Sequence, residues 1–441
     1  MHLLRKVCVI GLGYVGLPTA AVIASAGHEV IGVDTNDHIF KRLSSGSSTI
    51  EEEGVKELVE QELTSGKLIV AKAPAQADVF IICVPTPITP FKTVDIGLVA
   101  AATRSILPYV KRGDMVILES TSPIATTRKT IGGILAEAGF DITNDLDLCY
   151  CPERVYPGNT LKEIVHNDRV VGGLTPRAAR RARDFYKSFC KGNVAETSAE
   201  AAEFSKLAEN TYRDVNIALA NSFARIAELA GIDVGDVINT ANQHPRVNIL
   251  QPGAGVGGHC IPVDPWFLVE SYPAVSGLVR HAREINDSQP VRLLDRAELE
   301  GLTRGATIAV LGLAYRADID DPRESPAELL IAEALDRGYS LKVHDPFVDE
   351  RHLHLEKYGF TRRISDAVRG VDAVFLMTGH TAYKSMDPED LLSGGAGIVV
   401  DGCRVLAGDA LTGTDAVIIR CGAPSRRGKI TFKRRIAGEL A

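Results

Sequence analysis

The stretch "GAGVGGHCIPVDPWF" (residues 253–267) places one cysteine, Cys260, in a glycine-rich loop, with His259 before it and Asp264 four residues on. A structural cysteine usually sits in an apolar element; this one does not. Nucleophilic thiols need thiolate character and room for a substrate carbon to approach. Glycines give that room and allow close backbone approach. The alternative reading is a packed core thiol. A lysine that could stabilise the anion is supplied by residues 199–230, which contain neither Gly nor Pro and predict one long helix. On it Lys206, Asn210 and Arg213 recur at i, i+4 and i+7, sharing one face. Such a face is often merely solvated. Its small and apolar flanks predict burial on several sides, and a buried Lys–Asn pair needs a partner.

A second constellation concerns phosphates. "KVCVI" (6–10) reads as a strand, followed by Gly11-Leu12-Gly13-Tyr14-Val15-Gly16, a small-residue helix to Ser25, and a strand "HEVIGVD" ending in Asp34. This is the strand–GxGxxG–helix–strand–acid order of a dinucleotide-binding unit. Gly11 permits the turn, Gly13 admits the pyrophosphate, and Gly16 lets the helix pack, with its amides toward the phosphates. Asp34 can accept from ribose hydroxyls and would repel a 2′-phosphate, which favours NAD over NADP. The alternative is a glycine-rich packing turn.

These groups require elements to hold them. Further strands are expected at 77–87, 114–122 and 145–153, and in a doubly wound sheet the strands' carboxyl ends face the ligand. Thr86, Thr121 and Glu153 become candidates by that position, with a cap or strand-end turn as the plain reading of each threonine. "ATIAVLGLAY" (306–315), a helix near 325–337 and strands at 340–345, 372–378 and 397–402 repeat the opening architecture. There Ala314 stands where the fingerprint wants its second glycine, so this unit is not expected to hold NAD. The fold class is α/β: two Rossmann-like doubly wound domains (1–196 and 301–441) joined by a long central helix and helical linker domain (197–300).

Composition excludes other classes. The 441 residues are 45% hydrophobic and 24% charged, with net charge −7, which argues against a nucleic-acid surface. Eight cysteines without paired CxxC spacing, and no HExxH, leave a metal unsupported and fit a reduced cytoplasmic setting. The apolar run 7–27 is long enough to imitate a membrane span, but its glycine fingerprint predicts a buried strand and helix and no membrane insertion. The basic tail, 426–435, reads as a solvated end.

"GLGYVGLPTA", "VPTP", "CPERVYPG", "FSKLAENTYRDVNIALAN", "GAGVGGHCIPVDPWF" and "GLAYRADIDDPRESP" together resemble the UDP-glucose/UDP-N-acetylmannosamine 6-dehydrogenase family, in order and up to about residue 330. "NQHPRVNILQPG" and "NDRVVGG" are most similar to its UDP-N-acetylmannosamine branch. The resemblance implies an NAD-dependent, four-electron oxidation of a UDP-N-acetylhexosamine through a thioester on Cys260, feeding surface polysaccharide synthesis. It implies oxyanion stabilisation by Lys206 and Asn210, proton removal through water by Asp264, and water activation by Glu153 with Thr121. Tyr14, Val15, Thr86 and Thr121 would join the cofactor set. Arg154, Arg213, His244, Arg246, Gly253, Gly257, Tyr315, Arg316 and Arg323 would join the sugar-nucleotide set, Arg246 from a neighbouring subunit of a homodimer or larger homo-oligomer assembled through the central helix. Arg323 would face the UDP or brace its loop.

Two departures shape the substrate expectation. Val263 stands where glucose enzymes carry a lysine, and Pro157 where they carry a second glutamate. UDP-N-acetylglucosamine, then UDP-glucose, are the alternative substrates. A single-step hydroxyacid dehydrogenase would leave Cys260 idle, and a non-catalytic nucleotide sensor would need none of Cys260, Lys206 and Asp264.

Overall fold

The structure, a computed structural model, describes residues 5–89, 91–155, 158–348 and 358–427. Pro157 and the tail beyond residue 427 lie outside the described residues. The chain divides into two compact units. One takes residues up to Glu209 together with Trp266–Tyr272; the other takes Asn210–Pro265 and everything from Pro273 onward.

The first unit is built on eight strands: β1 (Lys6–Ile10), β2 (Glu29–Val33), β3 (Leu68–Ala71), β4 (Val79–Ile82), β5 (Met115–Leu118), β6 (Asp147–Tyr150), β7 (Arg169–Gly173) and β8 (Val194–Ser198). Their spatial order is β3-β2-β1-β4-β5-β6-β7-β8, parallel except for β6 against β7. Parallel strands are covered on both faces and therefore read as unbroken apolar runs. β4, β5 and β6 are buried at every residue. Chain order reverses between β1 and β4, and ligands of such sheets bind beyond the strand ends at that point. The helix Gly16–Ser25 is buried from Gly16 to Ala24. The 7–27 run is thus a central strand and a core helix. Among the described residues no helix is long and apolar enough to cross a membrane.

The second unit carries β9 (Thr307–Leu311), β10 (Ser340–His344), β11 (Phe360–Thr361), β12 (Ala373–Leu376), β13 (Ile398–Asp401), β14 (Val417–Arg420) and β15 (Arg426–Arg427). The order is β11-β10-β9-β12-β13-β14-β15, with only β15 antiparallel. It is the same winding as in the first sheet, around its own core of Val310, Phe375, Val400 and Leu330.

The long helix spans Ala199–Ala230, the whole stretch predicted from sequence. Its polar residues go deep: Glu203, Asp214 and Asn221 are fully buried and Lys206 nearly so. Glu203, Asp214 and Asn221 are each matched from a neighbouring element. In the second unit Glu228 pairs with Arg292 and, at 2.7 Å, Arg296 on the helix Gln289–Leu299. Removing one partner of such a buried pair costs about 3–5 kcal/mol, so these ties fix the helix along its length.

Candidate functional site

In the first unit the glycine fingerprint has the geometry expected of it. Gly11 lies at φ +94°, and its N–H donates to Val33 O at 2.8 Å. A Cβ on Gly16 would stand 1.9 Å from Gly11 O, so only glycine lets the helix start there. A Cβ on Gly13 would meet no atom within 4 Å. That side of the loop is an open cradle facing a helix start with no side-chain cap and no acid in its first turn. The residues fit a dinucleotide pyrophosphate. Asp34 accepts from Leu12 N (2.9 Å) and Asn36 N (2.8 Å), one bond per oxygen. Lone pairs therefore remain for a ribose diol. We expect Gly13→Ala to melt like the wild type while NAD affinity, read by calorimetry, falls about tenfold or more, the ~1.4 kcal/mol equivalent of one misplaced phosphate contact. Unchanged affinity would move the pyrophosphate elsewhere.

The other candidates of this unit sit at the ends of β4, β5 and β6. The Thr86 hydroxyl donates to Thr121 O at 2.6 Å, tying two strand ends together. Glu153 takes the Val155 N–H on its own carboxylate. Burial pushes its carboxyl up to about 7, against the pull of Lys206 and Arg169, with Glu119 and Glu163 adding to the rise. Arg154 is spent within the unit, on Asp168 O (3.3 Å) and on the Glu209 carboxylate.

Sequence reasoning missed three acids here. Glu119 is buried and accepts from Tyr186 Oη (2.6 Å) and Cys83 Sγ (3.2 Å). Glu203 holds the segment after Thr121 through Ala125 N (2.5 Å), Thr127 N (2.8 Å) and Thr127 Oγ1 (2.7 Å). Glu52 takes Tyr14 Oη (2.6 Å), Gly158 N (3.0 Å), Thr160 N (2.8 Å) and Thr160 Oγ1 (2.8 Å), joining the fingerprint loop to the segment after Glu153. None stands in a motif. Only buried acids among small residues could have signalled the first two.

In the second unit Cys260 is half-buried and its carbonyl accepts from Val263 N (3.0 Å) and Asp264 N (2.8 Å). Asp264 is buried, and Asn210 Nδ2 donates to its Oδ2 at 2.5 Å. The backbone of Cys260, the acid and the amide are therefore linked through one turn. Burial pushes the other seven cysteines up, which keeps them protonated and inert.

One expectation is corrected. The two glycines nearest Cys260 serve close backbone approach and do not leave open space: a Cβ on Gly257 would lie 2.7 Å from Tyr315 Cβ and from Glu324 O, and one on Gly258 2.9 Å from the Tyr315 ring. They permit close packing against the "GLAYRADIDDPRESP" segment, which Gly258 N also bonds, at 3.1 Å to Arg323 O. Arg323 itself forks onto Asp321 (2.8 and 2.6 Å), so it braces its loop. Arg316 is half-buried nearby in sequence; Arg213, His244 and Arg246 are exposed.

The second sheet mimics the fingerprint without its capacity. Gly312 lies at φ +97°, as Gly11 does. Asp345, in the position of Asp34, is fully buried. It accepts from Leu313 N (2.7 Å), Ala314 N (2.9 Å), Phe347 N (2.8 Å), Val348 N (2.9 Å) and His380 Nε2 (3.0 Å). A carboxylate offers about four lone-pair sites, so none is left for a ribose.

Residues 5–190 match the NAD binding domain of the UDP-glucose/GDP-mannose dehydrogenase family, residues 200–288 its central domain and residues 309–408 its UDP binding domain. The chain belongs to the UDP-glucose/GDP-mannose dehydrogenase family. The quoted motifs carry the resemblance to about residue 330; the match runs on to residue 408, through β9–β13. A UDP-N-acetyl-D-mannosamine dehydrogenase of Methanocaldococcus jannaschii is 43% identical over 390 residues, 88% of each chain. An NDP-N-acetyl-D-galactosaminuronic acid dehydrogenase of Ralstonia solanacearum is 41% identical over 399 residues, 88% of this chain and 94% of that one. Among solved structures, a UDP-D-ManNAc dehydrogenase of Pyrococcus horikoshii superposes with a TM-score of 0.87 at 36% identity, covering 95% of this chain and 99% of that one. As a member of this dehydrogenase family the chain uses NAD, for which the residues around Gly13 and Asp34 are built.

Proposed function

We propose that this dehydrogenase oxidises the C6 hydroxyl of UDP-N-acetyl-D-mannosamine to the carboxylate. Each turnover takes up two NAD and one water and yields two NADH and three protons. The observation that carries the reading is one turn in which the Cys260 carbonyl accepts from Asp264 N while the Asp264 carboxylate accepts from Asn210. NAD, when bound, accepts the hydride in each half-reaction. Lys206 and Asn210, one helical turn apart, hold the C6 oxygen as negative charge builds on it. Asp264 takes the hydroxyl proton through a water. The Cys260 sulfur adds to the aldehyde carbon, and the resulting hemithioacetal gives up the second hydride and becomes a thioester. Glu153, with its carboxyl near 7, accepts a proton from the water that cleaves the thioester. Thr121 positions that water, and the thiolate leaves.

The relatives' names and Val263 support an acetamido sugar. The Ralstonia relative, at nearly the same identity, keeps the galacto configuration as the second reading. A panel of UDP-N-acetylmannosamine, UDP-N-acetylglucosamine, UDP-N-acetylgalactosamine and UDP-glucose, scored by NADH per sugar, tests both. Two NADH from the first is the expected result. None from it removes the mannosamine assignment, and one NADH points to a single-step dehydrogenase.

The same reading includes a cytoplasmic homo-oligomer. Its support is a stripe on the long helix, Tyr212, Leu219 and Ile226, all exposed and seven residues apart, so they share one face. A thiol nucleophile also suits a reducing compartment. Sedimentation equilibrium returning the mass of one chain would remove the oligomer.

A further inference from the structure

We infer that Asn221 and Gln289 are positioning residues for the nucleophile: together they clamp the N–H and the C=O of Gly253, where the Cys260 loop begins. The inference rests on the reading of Cys260 as nucleophile and extends it to residues that never touch substrate.

Gly253 N donates to Asn221 Oδ1 at 2.9 Å, and Gly253 O accepts from Gln289 Nε2 at 3.2 Å and from Cys421 Sγ at 3.7 Å. Asn221 and Gln289 have no exposed surface. A side-chain amide could present either end to a neighbour, and here each is forced to present one. Asn286, also fully buried, gives its Nδ2 hydrogens to Asp214 Oδ1 (2.8 Å) and Asp214 O (3.0 Å). A carboxylate only accepts, so Asn286 cannot turn round. Its Oδ1 must receive Asn221 Nδ2 (2.9 Å), and this leaves Asn221 Oδ1 for the Gly253 N–H. Arg283, 1% exposed, holds Asp214 at 2.5 Å. On the other arm Arg225 puts both Nε (3.1 Å) and Nη2 (2.8 Å) on Gln289 Oε1, which turns Nε2 toward the Gly253 carbonyl.

Two chains of bonds, each rooted in an arginine, therefore converge on one peptide residue from opposite sides. Seven residues on stands Cys260, and the loop between is pressed at Gly255, Gly257 and Gly258 against Asn286 O, Tyr315 and Pro326. With little slack between clamp and sulfur, an error at Gly253 passes to Cys260. Misplacing a reacting group by about 1 Å costs on the order of 100-fold in rate.

The decisive variant is Gln289→Glu. It keeps the volume and strengthens the contact with Arg225, yet turns a carboxylate oxygen toward the Gly253 carbonyl. If Gln289 only holds helices together, this variant melts at or above wild type with full activity. The clamp predicts the same melting temperature but a kcat lower by about tenfold to 100-fold, an unchanged KM for NAD, and an altered rate of iodoacetamide labelling at Cys260, read by peptide mapping. Asn221→Leu, which removes the acceptor for Gly253 N at similar volume, should behave alike in kcat and labelling and serves if the first variant fails to fold. Wild-type kcat and labelling in either folded variant overturn the inference. Full activity in Cys260→Ser would instead overturn the nucleophile itself, so the two failures are told apart.

Discussion

Cys260→Ser should hold NAD and UDP-sugar as the wild type does and yet lose steady NADH production by a factor on the order of 10⁴–10⁶. The first oxidation, alcohol to aldehyde, asks nothing of the thiol. The aldehyde cannot give up a second hydride until a nucleophile adds to its carbon. At neutral pH a hydroxyl is far poorer at this than a partly ionised thiol. Stopped-flow absorbance should therefore show at most one NADH per site, followed by a near-flat trace. The backbone bonds around Cys260 survive the substitution. Its backbone carbonyl, which carries the Val263 and Asp264 bonds, is untouched, and Asn210 Nδ2 keeps Asp264 Oδ2 as its acceptor. Two NADH per site at the wild-type rate would end the covalent mechanism.

Glu153→Gln should fail later in the cycle. In the proposed cycle both hydride transfers precede water attack, so a rapid burst of two NADH per site is expected. A steady rate lower by about 10²–10⁴ should follow, with an acyl group on Cys260 visible by mass spectrometry. A slow first NADH instead would reassign Glu153 to the oxidation steps. The pH dependence has a definite sign. Burial lifts the Glu153 carboxyl to about 7 despite Lys206 and Arg169, and only the ionised form can take a proton from water. Wild-type thioester hydrolysis should climb about tenfold per pH unit up to about 7 and then level. The variant should lack that limb. Stability runs the other way. The folded chain favours the neutral acid, so this group's contribution is present below its ordinary value of 4.5 and is lost as pH rises through about 7. Above pH 7 Glu153→Gln should melt higher than wild type.

Much of this was legible in the residues because it depended on local spacing. The strand–GxGxxG–helix–Asp34 order dictates its own geometry: Gly16 is required within the first turn by the carbonyl of Gly11, five residues earlier. The helix Ala199–Ala230 was legible from the absence of any breaker. What stayed hidden depended on distant partners. β8, reading Val-Ala-Glu-Thr-Ser, pairs among the described residues with β7 alone and is mostly exposed, so it carries no apolar run. β11 is two residues long. Asn221, Asn286 and Gln289 look like ordinary helix polars, and only folding shows that all three are dry and belong to the two chains of bonds that meet at Gly253. The glycines of the Cys260 loop were legible as a site but misread in purpose, because Tyr315, 57 positions on, fills the space beside them.

Both reaction partners of this enzyme bring a ribose joined to a diphosphate, and the chain offers two sheets wound alike. The two sheets differ in what one acid has left to offer. Asp34 keeps bonding capacity in hand, whereas Asp345 has exhausted its own on four backbone amides and His380. The second sheet therefore lacks the ribose acceptor that Asp34 supplies in the first, so NAD should find one place on this chain and not two.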